Sequence, residues 1–248
     1  MPARARSEEV IGLVRELTLR SQMTKTVFTA LVLLCYPVLA QERFDIKDAS
    51  RDYDVRVEVA KCEGDLCDGK VTFTLFKKGK SKPFQIFTLA DTSFLLDSRK
   101  SQPANKTLLY DEQSALNFGD FNFDGMQDLA LCDGKRGGYG MPSYQVYLFS
   151  QSANKFIFSP SLSKLVHGVN LGMFEVDEKR KVLTTYSKSG CCFHETDEFS
   201  VVNDHPRKIL EITEDASIPG EKRVKVITKR LVNGRWRTTI KYLPRTEQ

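Results

Sequence analysis

The chain has no G-x-S-x-G turn that would expose a serine nucleophile and no H-E-x-x-H pair that would hold a catalytic zinc. Its histidines, His167, His194 and His205, stand in unrelated contexts. His194 lies two residues from Cys192, so on a strand the two side chains share a face, which does not by itself make a thiol–base pair. These absences argue against an enzyme. Long helical periodicity is missing beyond residue 40, which excludes a helical bundle. A clustered basic face is missing as well. Taking away residues 1–40 removes five Lys/Arg and three Asp/Glu, so 37 against 32 becomes 32 against 29, too mild an excess for a nucleic-acid binder.

The apolar stretches are short. Residues 23–40 run from Met23 through Lys25 and the apolar Val27–Leu34 to Ala40, the layout of a secretory signal peptide cleaved between Ala40 and Gln41. Val27–Leu34 is too short to span a bilayer, so no permanent membrane anchor is expected. Residues 1–22 read as an upstream extension or a mis-called start. The expected locations are the periplasm or the exterior, with residues 41–248 as one domain.

Export implies an oxidising compartment, where cysteines pair. Cys62 and Cys67 bracket a turn-like Glu-Gly-Asp-Leu and form the expected bridge. Cys132 is expected to reach Cys191 or Cys192, which leaves one thiol free. A zinc site from Cys132, Cys191, Cys192 and His194 is the sharper alternative, but adjacent cysteines chelate poorly compared with C-x2-C spacing.

What the chain has is period-two alternation. Val55, Val57 and Val59 alternate with polar residues, and so do Val71, Phe73 and Leu75. Further strands are expected at 84–89, 129–132, 144–149, 156–158, 181–186, 198–202, 209–213, 224–231 and 235–242. Asn233-Gly234 is a tight-hairpin signal, because those residues accept positive φ. Lys77, Lys78, Lys80 and Lys82 read as a solvated hairpin tip. Trp236, between two arginines, reads as a core or sheet-face anchor. The expected fold class is all-β, β-propeller-like or β-sandwich-like.

The densest signal is Asp120-Phe121-Asn122-Phe123-Asp124-Gly125-Met126-Gln127-Asp128. Hard oxygens at Asp120, Asn122, Asp124 and Asp128, with the Met126 carbonyl, suit Ca²⁺, which takes six to eight oxygens at about 2.3–2.6 Å. Gly125 permits the sharp turn. An EF-hand would close with Glu at the twelfth position, where Leu131 stands, and Leu129–Cys132 reads as a strand rather than an exit helix. The alternative is an Asx-rich turn without an ion. Glu175-Val176-Asp177-Glu178 is a weaker acidic stretch without the glycine.

The loop resembles the calcium-binding turn of integrin-type β-propeller repeats. Asn117–Leu129, Gly138–Leu148 and Ser187–His194, in that order, resemble a family of exported bacterial FG-GAP/VCBS-like calcium-loop proteins. One branch consists of periplasmic inhibitors of lysozyme-type peptidoglycan hydrolases, immunity proteins of an antibacterial type IV secretion system. The resemblance implies a calcium-stabilised domain whose Gly/Tyr loop enters a glycosidase cleft. The matching positions here are Gly137, Gly138, Tyr139, Gly140, Ser143, Tyr144 and Tyr147. The competing reading is a plain strand with Tyr144, Val146 and Leu148 on one face, or an adhesive envelope module.

Overall fold

The computed structural model describes residues 41–96, 104–107, 109, 113–218 and 222–245. The expected signal peptide and the extension before it lie outside the described residues. Among the described residues fifteen strands fall into three antiparallel sheets, in which strands pair with their sequence neighbours with one exception. The first contains β1 (Glu42–Ile46), β2 (Tyr53–Glu63), β3 (Leu66–Lys77) and β4 (Gln85–Leu89), with β5 (Ser93–Leu95) paired to the far end of β3. The second contains β6 (Leu116–Gly119), β7 (Asp128–Gly134), β8 (Ser143–Ser150) and β9 (Lys155–Phe158). The third runs through β10 (Glu175–Asp177), β11 (Val182–Ser189), β12 (Phe193–Val202), β13 (His205–Asp215), β14 (Arg223–Val232) and β15 (Arg235–Pro244).

The architecture is sandwich-like, and no sheet closes into a barrel. The second and third sheets have the up-and-down strand order that a propeller blade also uses. The alternation read in the sequence points inward: Val55, Val57, Val59, Val71, Phe73 and Leu75 are all buried. They share one core with Leu129, Leu131, Tyr144 and Val146 of the second sheet. Tyr53 stacks on Phe118 at 5.8 Å between ring centroids and also meets Phe156 at 5.5 Å, which ties the first sheet to the second. At the sheet margins, the Gln85 amide accepts from the Phe156 N–H and donates to the Phe156 carbonyl, which imitates one rung of a ladder.

The hairpin signals fold as expected. Asn233 and Gly234 both have positive φ, 50° and 75°, in the β14–β15 turn. Cys62 faces Cys67 across the β2–β3 hairpin, and the two are bonded.

Two expectations about cysteine are corrected. Cys191 and Cys192 are bonded to each other rather than to Cys132. Cys132 is a free thiol buried in the core, where its Sγ donates to the Ser93 carbonyl at 3.2 Å. Burial pushes that thiol's pKa up, so it behaves as a small apolar residue with a weak donor. No thiolate pair is left for zinc. Trp236 is not a core residue: it is half exposed on the face of β15, opposite Leu231.

Candidate functional site

The acidic loop joins β6 to β7 and is fastened from below by its apolar residues. Phe121 is buried and meets Phe174 edge-on at 5.3 Å. Asp128, the last position of the pattern, is completely buried, and each of its oxygens accepts a backbone N–H at 2.8 Å, one from Phe121 and one from Phe149. It therefore pins the loop to β8. Burial pushes its pKa up to about 7 against the pull of those two hydrogen bonds.

The rim is more open. Asp120 accepts from the N–H groups of Asp124 (3.0 Å) and Gly125 (2.8 Å), and Asp124 accepts from Met126 (2.7 Å). Phe123 and Gly125 hold positive φ, 63° and 86°, and so curl the backbone around these carboxylates. The Asn122 Nδ2 lies between two carboxylates, donating to Asp124 Oδ2 at 3.0 Å and to Asp204 Oδ1 at 2.8 Å. An amide nitrogen placed between two anionic oxygens occupies a position that also suits a cation, and turning the amide over would offer Oδ1 instead.

The donor set is all oxygen, which fits a hard ion. Asp128 is the exception in placement, since it faces inward with both oxygens engaged. Asp120, Asp124 and Asp128 do not converge as tightly as Glu195, Asp197 and Glu211, whose ligand oxygens lie within 4.8 Å of one another. That trio encloses Lys208, whose Nζ is 2.5 Å from Asp197, 3.4 Å from Glu211 and 3.7 Å from Glu195, so it is an ion-pair cluster. Asp204 is the residue that sequence reasoning missed. Its only signal is the Asn203-Asp204 turn, 82 positions from Asn122. Beside the rim, Asp120, Asp124, Glu178 and Lys181 line an open cleft of about 680 Å³.

The Gly/Tyr loop between β7 and β8 is built differently. Gly137 donates to the Met141 carbonyl at 3.0 Å and Gly138 to the Asn170 carbonyl at 2.7 Å. A Cβ on Gly138 would lie 2.3 Å from the Val169 carbonyl oxygen, so this glycine is required by close backbone approach. The base of the loop is fixed by buried Asp133, which accepts from Ser143 Oγ at 2.5 Å and faces His167 Nε2 at 3.1 Å. Arg136 Nη2 donates to the Asp133 carbonyl at 2.8 Å.

Only part of the expected contact set reaches the surface. Ser143 and Tyr144 are completely buried, and Tyr147 nearly so. The Tyr144 hydroxyl donates to the Ser114 carbonyl at 2.9 Å, and Tyr147 packs edge-on against Phe87 at 4.7 Å. These three are therefore scaffold, and burial pushes both tyrosine pKa values up, Tyr147 to about 12. Tyr139 is the opposite case: it is 64% exposed and held at φ 56°, a left-handed conformation uncommon for a bulky residue. Its hydroxyl accepts from the Gly190 N–H at 2.6 Å, and the Lys188 Nζ sits 4.9 Å from its ring centroid. Gly190 immediately precedes the Cys191–Cys192 bridge. The second and third of the sequence segments that carried the resemblance thus meet at one surface.

Among the described residues no helix is long and apolar enough to cross a membrane. No protein-family model matches the chain, and no curated protein matches it. A solved structure does: a Xanthomonas protein described as related to the type IV secretion system is 26% identical, with a TM-score of 0.62 over 82% of this chain and 94% of that one.

Proposed function

We propose that the protein is an exported, calcium-stabilised binding protein that inhibits lysozyme-type peptidoglycan hydrolases and so serves as an immunity protein in the bacterial envelope. The observation that carries this reading is Tyr139, a large, exposed, preorganised side chain at the apex of a loop whose base is fixed by buried polar contacts. Tyrosine offers broad contact area for little rotamer entropy, and preorganisation reduces the ordering cost of binding. The similarity to a secretion-system-related protein supports a role alongside such a system, and the two disulfides among the described residues suit an oxidising compartment. Asp120, Asn122 and Asp124, with the Met126 carbonyl, would hold the calcium, and Asp128 would brace them from behind. The ion's part is structural, since it binds only the folded loop.

The reading is tested by mixing the purified protein with lysozymes and envelope hydrolases and following cell-wall lysis. At least one hydrolase should be inhibited, and Tyr139→Ala should lose most of that inhibition. Full lysis at saturating protein across the panel would remove it. That outcome would favour an adhesive module, to which the exposed Trp236, Ile240 and Tyr242 of β15 lend an apolar stripe.

A further inference from the structure

Resting on the reading of Tyr139 as the inserted residue, we infer that the tip of the β11–β12 hairpin is the second half of the same recognition surface, with Lys188 supplying the charge that addresses the acidic pair of a glycosidase cleft. Tyr139 does not stand alone. A side chain entering a cleft unaided would offer its whole hydroxyl and both ring faces to the partner, whereas here the hydroxyl oxygen already accepts from the Gly190 N–H and the Lys188 ammonium lies over the ring. Whatever surrounds Tyr139 also meets Lys188 and the turn beyond it.

That turn is built to keep its shape. Ser189 pairs with Phe193 across the hairpin, and Gly190 occupies the left-handed region at φ 63°. The bond between Cys191 and Cys192 closes a small ring over one peptide unit and restricts the backbone next to the N–H that Tyr139 uses. The Cys192 carbonyl accepts from the Ala216 N–H at 2.7 Å, which ties the tip to the end of β13. Arg245 Nη2 lies 3.7 Å from Cys192 Sγ, so a second cation flanks the ridge.

The partner's chemistry completes the match. Glycoside hydrolases of this type cut with two carboxyl groups that flank the scissile bond, separated by roughly 5–9.5 Å depending on mechanism. Such a cleft is a well of negative potential whose walls accept rings. An aromatic side chain with an ammonium at its face offers the complementary charge, and an encounter between them should be steered and salt-sensitive. Lysine is the suitable cation, because its compact ammonium sits on a flexible stem that can follow either carboxylate.

The test is an inhibition series against a hydrolase that the wild-type protein inhibits, at low and high salt. Lys188→Ala should weaken inhibition about tenfold and Lys188→Glu about a hundredfold, while Lys188→Arg stays within a few-fold of wild type. Wild-type inhibition should weaken as salt rises, and Lys188→Ala should lose most of that dependence. The Cys191→Ser/Cys192→Ser double variant, which frees the turn, should also weaken inhibition about tenfold. A wild-type-like melting transition shows that each variant folds, and Lys188→Ala decides the matter should the reversed charge fail to fold. Lys188→Glu or Lys188→Ala inhibiting as well as wild type while Tyr139→Ala does not would overturn the hairpin's role and leave the reading of Tyr139 standing. A wild type that inhibits nothing would remove both.

Discussion

β7 and β15 are strands of comparable length in one molecule, yet β7 is buried at all seven positions and β15 exposed at all ten. Both faces of β7 are covered, so its stability comes from removing apolar surface from water, at about 25 cal/mol per Å². β15 makes a full ladder with β14 and covers almost nothing. The two candidate sites follow the same division. The acidic loop feeds directly into β7 and is pinned by a buried carboxylate, whereas the hairpin tip beside Tyr139 belongs to the sheet that ends in the exposed ribbon. The buried part of the molecule thus carries the expected ion site, and the proposed recognition ridge belongs to the more solvated sheet.

The sharpest way to break this contrast is at Asp128. Asp128→Ala leaves the Phe121 and Phe149 N–H groups buried without partners, and the expected loss is about 3–5 kcal/mol, read by urea unfolding. Asp128→Asn keeps one acceptor and should lose less. Equal, small losses in both variants would show that the loop is not held from within.

Burial of Asp128 also sets a pH dependence. With its folded pKa near 7 and an ordinary unfolded value near 3.8, the folded state holds a proton through that window that the unfolded state gives up. Chelated protein should therefore be most stable below about pH 4 on this account and lose up to a few kcal/mol as pH rises to about 7. Calcium at the rim favours the ionised carboxylate, so saturating calcium should flatten or reverse that slope. Parallel melting curves with and without chelator across pH 4–8 would separate the carboxylate from the ion.

At fixed neutral pH the ion itself is the next effect. At a hundredfold excess over its dissociation constant, calcium should add about 2.7 kcal/mol. Asp120→Ala and Asp124→Ala should each abolish that gain, and Asp204→Ala should reduce it through the loss of the contact to Asn122. A melting temperature that chelator leaves unchanged would remove the metal assignment.

The same contrast explains what could be read from the chain beforehand. The β2–β3 and β14–β15 hairpins were legible because turn chemistry and pairing are local: Cys62 faces Cys67, and Asn233-Gly234 takes the positive φ values the turn requires. The acidic pattern was legible as a loop for the same reason. Roles that depend on distant packing were not. Tyr144 sits in the alternating stretch that reads as a strand and Tyr139 between two glycines, but only the covering of both faces at β8 makes Tyr147 as well as Tyr144 buried. Trp236 shows the reverse, an apolar residue left about half exposed on a solvated strand. Asp204 and Gly190 reach their partners only through the fold, 82 and 51 positions away in sequence. The cysteines misled for a related reason, because counting thiols gives no distances.

Smaller effects belong to the solvated sheet. Lys208→Met removes the cation around which Glu195, Asp197 and Glu211 gather and should cost about 1–2 kcal/mol, less at high salt where the carboxylates repel one another weakly. Trp236→Ala marks the lower limit. The side chain is 48% exposed and sits opposite Leu231, so its loss should cost under about 0.5 kcal/mol despite its size. A loss of 2 kcal/mol or more would mean that β15 is covered in solution, since an uncovered ribbon offers a tryptophan too few neighbours to account for it. Concentration-dependent melting would then identify the cover as a second copy of the chain, because only self-association makes stability depend on protein concentration.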